Sequence, residues 1–113
     1  MKTLVTGGAG FIGRWTVKKL FEEGHSIWIL DDLSNGSYDN IKEFKGCGSV
    51  KFIQGDIKDE RLLESMFNED FDLCFHLAAK INVQDSIDDP VTTYRNDVSG
   101  TFNVLEQCRK RGT

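Results

Sequence analysis

The sequence is short of the signals that mark most specialised classes of protein. No apolar run approaches the span of a bilayer, a single proline occurs (Pro90), and there is no internal repeat, low-complexity tract or linker. Its three cysteines, Cys47, Cys74 and Cys108, are widely spaced, with no Cys-x-x-Cys pair and no cluster of histidines beside them. That pattern argues against a disulfide framework and a zinc site, and no metal is expected. It suits free thiols in a reducing cytosol. Lysine and arginine (14) are outnumbered by aspartate and glutamate (18), giving a net charge of −4 and a pI near 5.1. This balance argues against a nucleic-acid partner. The chain opens on a strand and a glycine loop instead of a secretory leader, so a cytoplasmic location with no membrane partner is expected. At 113 residues it has material for one domain with a modest core.

What is present is organised around Thr6-Gly7-Gly8-Ala9-Gly10-Phe11-Ile12-Gly13. An apolar strand, Lys2 to Thr6, precedes it and a helical pattern follows. Gly7 lets the chain turn out of the strand, Gly10 lets the backbone approach a bound group, and Gly13 lets the helix pack on the strand. Free N–H groups and the positive helix end then converge on one point, which suits a pyrophosphate. An acidic pair, Asp31-Asp32, follows about 20 residues on, as a dinucleotide site requires. A carboxylate there accepts both hydroxyls of an adenosine ribose and repels a 2′-phosphate, favouring NAD over NADP. Arg14 is the nearby cation that would soften this preference, although a solvated side chain is the simpler reading for it.

Taken in order, the periodicity predicts a helix from Phe11 to about Glu23 with Ile12, Trp15, Val17, Leu20 and Phe21 on its buried side. His25 falls in the turn after Gly24 and reads as an exposed turn residue. Ser26–Leu30 is a second strand ending at Asp31. Residues 33–49 read as a polar loop edging the adenine pocket, with at most a helical turn around 39–44. This loop contains Tyr38-Asp39-Asn40-Ile41-Lys42, the Tyr-x-x-x-Lys spacing of short-chain dehydrogenases, in a position that makes it a coincidence. Val50–Gln54 is a third strand. Asp56 after it either offers its carboxylate to an adenine amino group, with Ile57 covering the base, or caps the helix spanning 59–68; both can hold at once. Asp72–Ala79 is a fourth strand running into two alanines, whose small side chains leave room for a flat ligand. His76 reads as a satisfied buried histidine. After a polar loop (Asn82, Gln84, Asp85, Ser86), Asp88-Asp89-Pro90 starts a helix that runs to about Arg111. Tyr94, Val98, Thr101, Phe102, Leu105 and Cys108 form its expected buried side. Asn96 either caps a local loop or holds an active-site floor. The fold class is therefore α/β: the N-terminal half of a doubly wound Rossmann fold, a parallel sheet of about four strands in the order 3-2-1-4.

These stretches carry a resemblance. The glycine loop, Asp31–Gly36, Gly55-Asp56-Ile57, His76–Ala79, and Tyr94 and Asn96 followed by Gly100-Thr101 are similar to the N-terminal part of extended short-chain dehydrogenases that act on nucleotide sugars. Among these the UDP-glucose 4-epimerases look closest, with 4,6-dehydratases and UDP-glucuronate decarboxylases as relatives. The resemblance implies NAD as cofactor. It places Gly7, Gly10, Phe11 and Ile12 around the pyrophosphate, and Asp31 on the adenosine ribose with Asp32, Leu33, Asn35 and Gly36 beside it. It puts Asp56 and Ile57 at the adenine, Leu77, Ala78 and Ala79 along the cofactor, and Asn96 at the nicotinamide end.

Two departures stand out. Ile81 occupies the place where epimerases often carry a cofactor-touching lysine, and Lys80 sits one position earlier. The family's catalytic Ser/Thr, its Tyr-x-x-x-Lys and its sugar-nucleotide lobe would lie beyond Thr113. No catalytic residue is therefore expected in this chain, which reads as the truncated NAD-binding portion of such an enzyme, inactive alone. It is expected to self-associate through the uncovered fourth strand or the last helix. Alternatives are a dinucleotide-binding module without chemistry and an NADP-dependent reductase using Tyr38 and Lys42.

Overall fold

Apolar residues on both faces of a strand require cover on both sides, and the first two strands are built that way. The computed structural model describes residues 1–113. Strands β1 (Lys2–Thr6), β2 (Ser26–Asp31), β3 (Val50–Gln54) and β4 (Leu73–His76) form one parallel sheet in the order β3-β2-β1-β4. Thr6 at the end of β1 pairs in register with Leu30 of β2 and His76 of β4, so these three strands finish at one level. Both the strand set and its order match the sequence expectation.

Two cores flank the sheet. On one face Val5, Ile27 and Ile29 meet Val17 and Leu20 of helix α1 (Phe11–Glu22), with Ile41 and Phe44 closing the edge. Ile41 and Phe44 come from residues 33–49, where two single 3₁₀ turns (Tyr38–Asn40 and Lys42–Phe44) replace a crossover helix. On the other face Leu4 and Leu30 meet Leu63, Met66 and Phe67 of helix α2 (Glu60–Phe67), Phe71, and Val104 of helix α5 (Gly100–Arg111). No helix is long and apolar enough to cross a membrane.

The C-terminal rod begins where Asp89 caps Pro90, as expected, with Asp89 Oδ1 accepting the Thr92 N–H at 3.2 Å. It runs through α4 (Pro90–Tyr94), a π-helical turn (Arg95–Ser99) and α5. Gly112 ends it in the left-handed region, φ 73°. Ahead of it, the stretch expected to be a polar loop contains a short helix, α3 (Val83–Asp88), whose N-terminal Asn82 accepts the Asp85 N–H.

Several expectations about faces are corrected. In α1 the buried side is Gly13, Val17 and Leu20, while Ile12 and Trp15 point outward, 66% and 51% exposed. The reason is Gly13: the helix is pressed so closely on the glycine turn that a backbone, not an apolar side chain, fills the first inward position. Trp15 lies under the cations of Arg14 and Lys18, at 4.7 Å and 5.5 Å. In the last helix, Tyr94, Val98, Phe102 and Leu105 are exposed, and the inward residues are Asn96, Gly100, Val104 and Gln107. The apolar row stays continuous across the π turn but lies on the face turned away from the sheet, while on the inward face Gly100 packs against Ile57. Thr101 and Cys108 are half-buried as expected. β4 ends at His76 and is not apolar-buried on both faces: Leu73 and Phe75 are exposed along the sheet edge. His25 is not a free turn residue, because its Nδ1 lies 2.9 Å from the hydroxyl of buried Thr3.

Candidate functional site

The turn after β1 is shaped by what cannot be there. Gly7 has φ +70°, and a Cβ on it would sit 2.7 Å from the Ala78 nitrogen and the Leu77 carbonyl carbon. A Cβ on Gly13 would overlap the Gly7 carbonyl oxygen. With both absent, α1 starts directly over the ends of β1 and β4. Gly10, in the N-cap position, offers no side chain, and the first turn carries no acidic residue. The N–H groups of Phe11, Ile12 and Gly13 therefore donate to nothing in the chain. Three free donors and the positive end of a three-turn helix face one cleft.

That cleft, of about 330 Å³, lies at the C-terminal ends of the strands. Gly7, Gly10, Phe11, Ile12, Asp31, Asp32, Asn35, Gly36, Ile57, Leu77, Ala78, Ala79 and Asn96 all line it. Leu33 and Asp56 from the sequence expectation lie outside the lining. Leu33 turns away with φ 62° and packs on the α1-side core. Asp56 folds back on its own loop, accepting the Lys58 N–H at 2.8 Å and pairing with the Lys58 ammonium at 3.4 Å. The cap of α2 is Asp59, which accepts the Leu62 N–H at 3.0 Å. Gly13, Leu30, Ser34, Gly55 and Ile81 complete the wall. Of these, Ser34 was foreshadowed by its place two residues after Asp32, the spacing of an Asx turn.

The carboxylates at the end of β2 are differently placed. Asp31, 7% exposed, accepts the Ala9 N–H through Oδ2 at 3.0 Å and the Leu33 N–H through Oδ1 at 2.8 Å. Each oxygen keeps a lone pair for a further donor. Asp32 accepts from both the N–H and the hydroxyl of Ser34, at 2.9 Å and 2.7 Å. Burial raises the Asp32 pKa, but the Ser34 hydrogen bonds and the charges of Lys80 and Lys58 outweigh it and hold the carboxyl below its ordinary value. Arg14 is engaged elsewhere, donating to Asn40 at 3.2 Å. Asn40 in turn donates to the Ala9 carbonyl at 2.8 Å, which also takes the Ser37 N–H at 3.0 Å. The 33–40 loop is thus tied to the glycine turn.

Beside Asn96 but outside the cleft lining stands Asp97, which was not singled out from the sequence. Its Oδ1 accepts the Lys80 N–H at 2.7 Å and the Asn96 amide at 2.9 Å, joining the loop after β4 to the π turn. Asn96 is 5% exposed and faces the cleft. His76 contacts Thr6 through Nδ1 at 2.7 Å and Thr101 through Nε2 at 2.8 Å, the satisfied histidine expected. Tyr38 and Lys42 sit on separate 3₁₀ turns, outside the cleft: Tyr38 stacks edge-on against Phe52, and Lys42 lies 4.0 Å from Asp39.

Comparison with known proteins places this geometry. A family model described as GDP-mannose 4,6 dehydratase matches residues 4–113. A putative UDP-glucose 4-epimerase of Methanocaldococcus jannaschii is 42% identical over 107 residues, 95% of this chain and 33% of its own length. Among solved structures, Pal from Bacillus thuringiensis superposes with a TM-score of 0.95 at 57% identity, over 98% of this chain and 36% of that one. The Thermus thermophilus UDP-glucose 4-epimerase, solved in complex with NAD, superposes with a TM-score of 0.86 at 37% identity, over 99% and 35%. The chain spans about a third of the length of the relatives it matches.

Proposed function

The chain belongs to this epimerase and dehydratase family, and on that premise we propose that residues 1–113 form the NAD-binding part of a nucleotide-sugar 4-epimerase of the UDP-glucose type. One observation carries the reading: the three unpaired N–H groups of Phe11, Ile12 and Gly13 face a cleft at a turn whose backbone leaves no room for a Cβ at Gly7 or Gly13. A pyrophosphate fits that cradle, because its oxygens take the free donors and its charge complements the helix end.

Along the rest of the cleft, Asp31 receives the ribose hydroxyls on its remaining lone pairs, with Asp32, Asn35 and Gly36 at its side. Ile57 covers one face of the adenine. Leu77, Ala78 and Ala79 form the wall along which the cofactor extends, and Asn96 closes the nicotinamide end. Leu33 and Asp56 act from outside the lining, Leu33 through its N–H on Asp31 and Asp56 through the Lys58 loop. Bound NAD supplies a hydride acceptor, and the nucleotide sugar is the substrate of the whole enzyme; catalytic acid–base groups are not part of this chain's assignment. A 4,6-dehydratase is the second reading, favoured by the description of the matching family model.

Self-association belongs to the same proposal. The exposed row Val91, Tyr94, Val98, Phe102 and Leu105 runs along the last helix. Asp88 and Asp89 lie at one end of it and Lys110 and Arg111 at the other, so an antiparallel pair of copies would set acids against bases. We place the protein in the cytoplasm, where three free thiols stay reduced.

The test is calorimetric titration with NAD and then NADP. Clear NAD binding with weak NADP binding is expected. Binding of neither would overturn the assignment of the cleft in this chain.

A further inference from the structure

We propose that His76 is a positioning residue, locked as the neutral Nε2–H tautomer, which aims the Thr6 hydroxyl so that Thr6 can hold the Leu77–Ala78 wall of the cleft. The argument is a count of donors and acceptors. Thr6 Oγ1 accepts the Ala78 N–H at 3.2 Å and, at 3.1 Å, shares the Leu77 N–H with the Thr6 backbone carbonyl, which takes it at 3.0 Å. A hydroxyl oxygen has two acceptor sites and one proton. Both acceptor sites are taken, so the single proton of Thr6 points at His76 Nδ1, 2.7 Å away. Nδ1 must then carry a lone pair, and the ring proton is on Nε2, donated to Thr101 Oγ1 at 2.8 Å.

A charged imidazolium does not fit this arrangement. A proton on Nδ1 would need an acceptor on Thr6, and Thr6 would have to release Ala78, or its share of the Leu77 N–H that its own carbonyl also holds, to provide one. Those two residues line the cleft, and their backbone packs directly against Gly7. Protonating His76 therefore loosens the wall beside the glycine turn, chiefly at Ala78. The surroundings agree: burial lowers the His76 pKa below its ordinary value, and the carboxylate of Asp97 on the π turn only partly restores it. Asp97 is the charged group that bears on the ring. Thr6 of β1 and Thr101 of α5 are uncharged, and Cys74 on β4 stays a thiol because burial raises its pKa to about 12.

The consequence rests on reading the cleft as the dinucleotide site. Binding should favour neutral His76, so affinity for NAD is full above the ordinary histidine range and falls as the pH drops toward the lowered pKa. By reciprocity, saturation with NAD should lower the His76 pKa further. Loss of one wall hydrogen bond corresponds to a weakening of about tenfold.

The experiment uses the 113-residue chain. Long-range proton–nitrogen NMR reads the ring tautomer from pH 8 to 5.5 with and without NAD, with His25, the other histidine, assigned separately. NAD affinity is measured over the same range for wild type, His76→Asn and His76→Leu. The proposal expects the Nε2–H tautomer, a pKa that falls on adding NAD, and affinity that declines with acid in the wild type. Asn presents an acceptor near the place of Nδ1 and does not titrate, so His76→Asn should bind with a flat pH profile, whereas His76→Leu should bind weakly throughout. An Nδ1–H tautomer, or a ring charged at pH 7.5, with NAD still bound overturns the proposal alone. A wild-type profile as flat as that of His76→Asn also overturns it. Failure to bind NAD at any pH removes the cleft reading and the coupling together, while the tautomer still decides whether Thr6 is oriented as stated.

Discussion

Asp31 Oδ2 accepts the backbone N–H of Ala9 at 3.0 Å, so the end of β2 holds the glycine turn that leaves β1. The same carboxylate is assigned to the ribose, which gives Asp31 two tasks. Replacing it with Asn keeps an acceptor for Ala9 but removes the charge and puts an NH2 donor where the other oxygen accepts the Leu33 N–H. Asp31→Asn is expected to weaken NAD binding about 10- to 100-fold, the range for hydrogen bonds to a charged group, and to narrow the gap between NAD and NADP. Calorimetric titration of both cofactors checks this. Unchanged NAD affinity would take the ribose role away from Asp31.

Gly13 tests the close approach of α1 to the turn. Because the atom in the way is the backbone oxygen of Gly7, no side chain can swing aside. Gly13→Ala should destabilise the fold by about 1–3 kcal/mol through overpacking, lowering Tm in a thermal melt. The control is Gly24→Ala: space is open around Gly24, yet its φ of +83° makes a side chain there strained. Loss of stability there would come with no loss of NAD affinity, whereas Gly13→Ala should lose both.

What the sequence made legible follows from the range of the forces involved. Strand boundaries and the glycine turn depend on local pattern and backbone freedom, so Lys2–Thr6 and Val50–Gln54 were readable residue by residue. Asp31 was readable because its place after the turn is fixed by the strand–helix–strand geometry. The inward face of the last helix was not, because an apolar row reads as buried from its pattern, whereas Tyr94, Val98, Phe102 and Leu105 form a continuous row on the face turned away from the sheet. Apolar residues alone pointed to Phe102 and Leu105, while the interior selected Asn96 and Gly100, small or hydrogen-bonded against Asp97 and Ile57. Asp97 was invisible for a related reason: its partner is a backbone N–H 17 residues away, and a main-chain donor leaves no mark on composition.

Cys74 and Cys108 should be slow to react. Burial pushes the Cys74 thiol up to about 12 and raises Cys108 as well, so neither forms much thiolate at pH 8. Brief iodoacetamide treatment of the folded chain is expected to leave Cys74 unmodified, with full alkylation once denaturant is added. Peptide mass spectrometry reads the sites directly. Rapid labelling of Cys74 without denaturant would mean that β4 opens away from α5.

Phe102 is the residue on which to test the proposed self-association. It is 64% exposed in the middle of the apolar row on the last helix, and it contributes nothing to either core. Phe102→Asp should therefore leave stability within about 0.5 kcal/mol of wild type, as for surface substitutions generally. It should nonetheless shift the associated form toward monomer, because a carboxylate would be buried without a partner at the centre of the contact. Sedimentation across a range of concentrations, with and without 0.5 M salt, separates the two parts of that contact (roughly a 4–5 Å screening length at that salt). Salt should weaken the pairing of the acidic and basic helix ends, and Phe102→Asp should abolish what remains. Association that survives the substitution would instead move the contact to the open edge of β4, where Leu73 and Phe75 are exposed beside unpaired backbone groups.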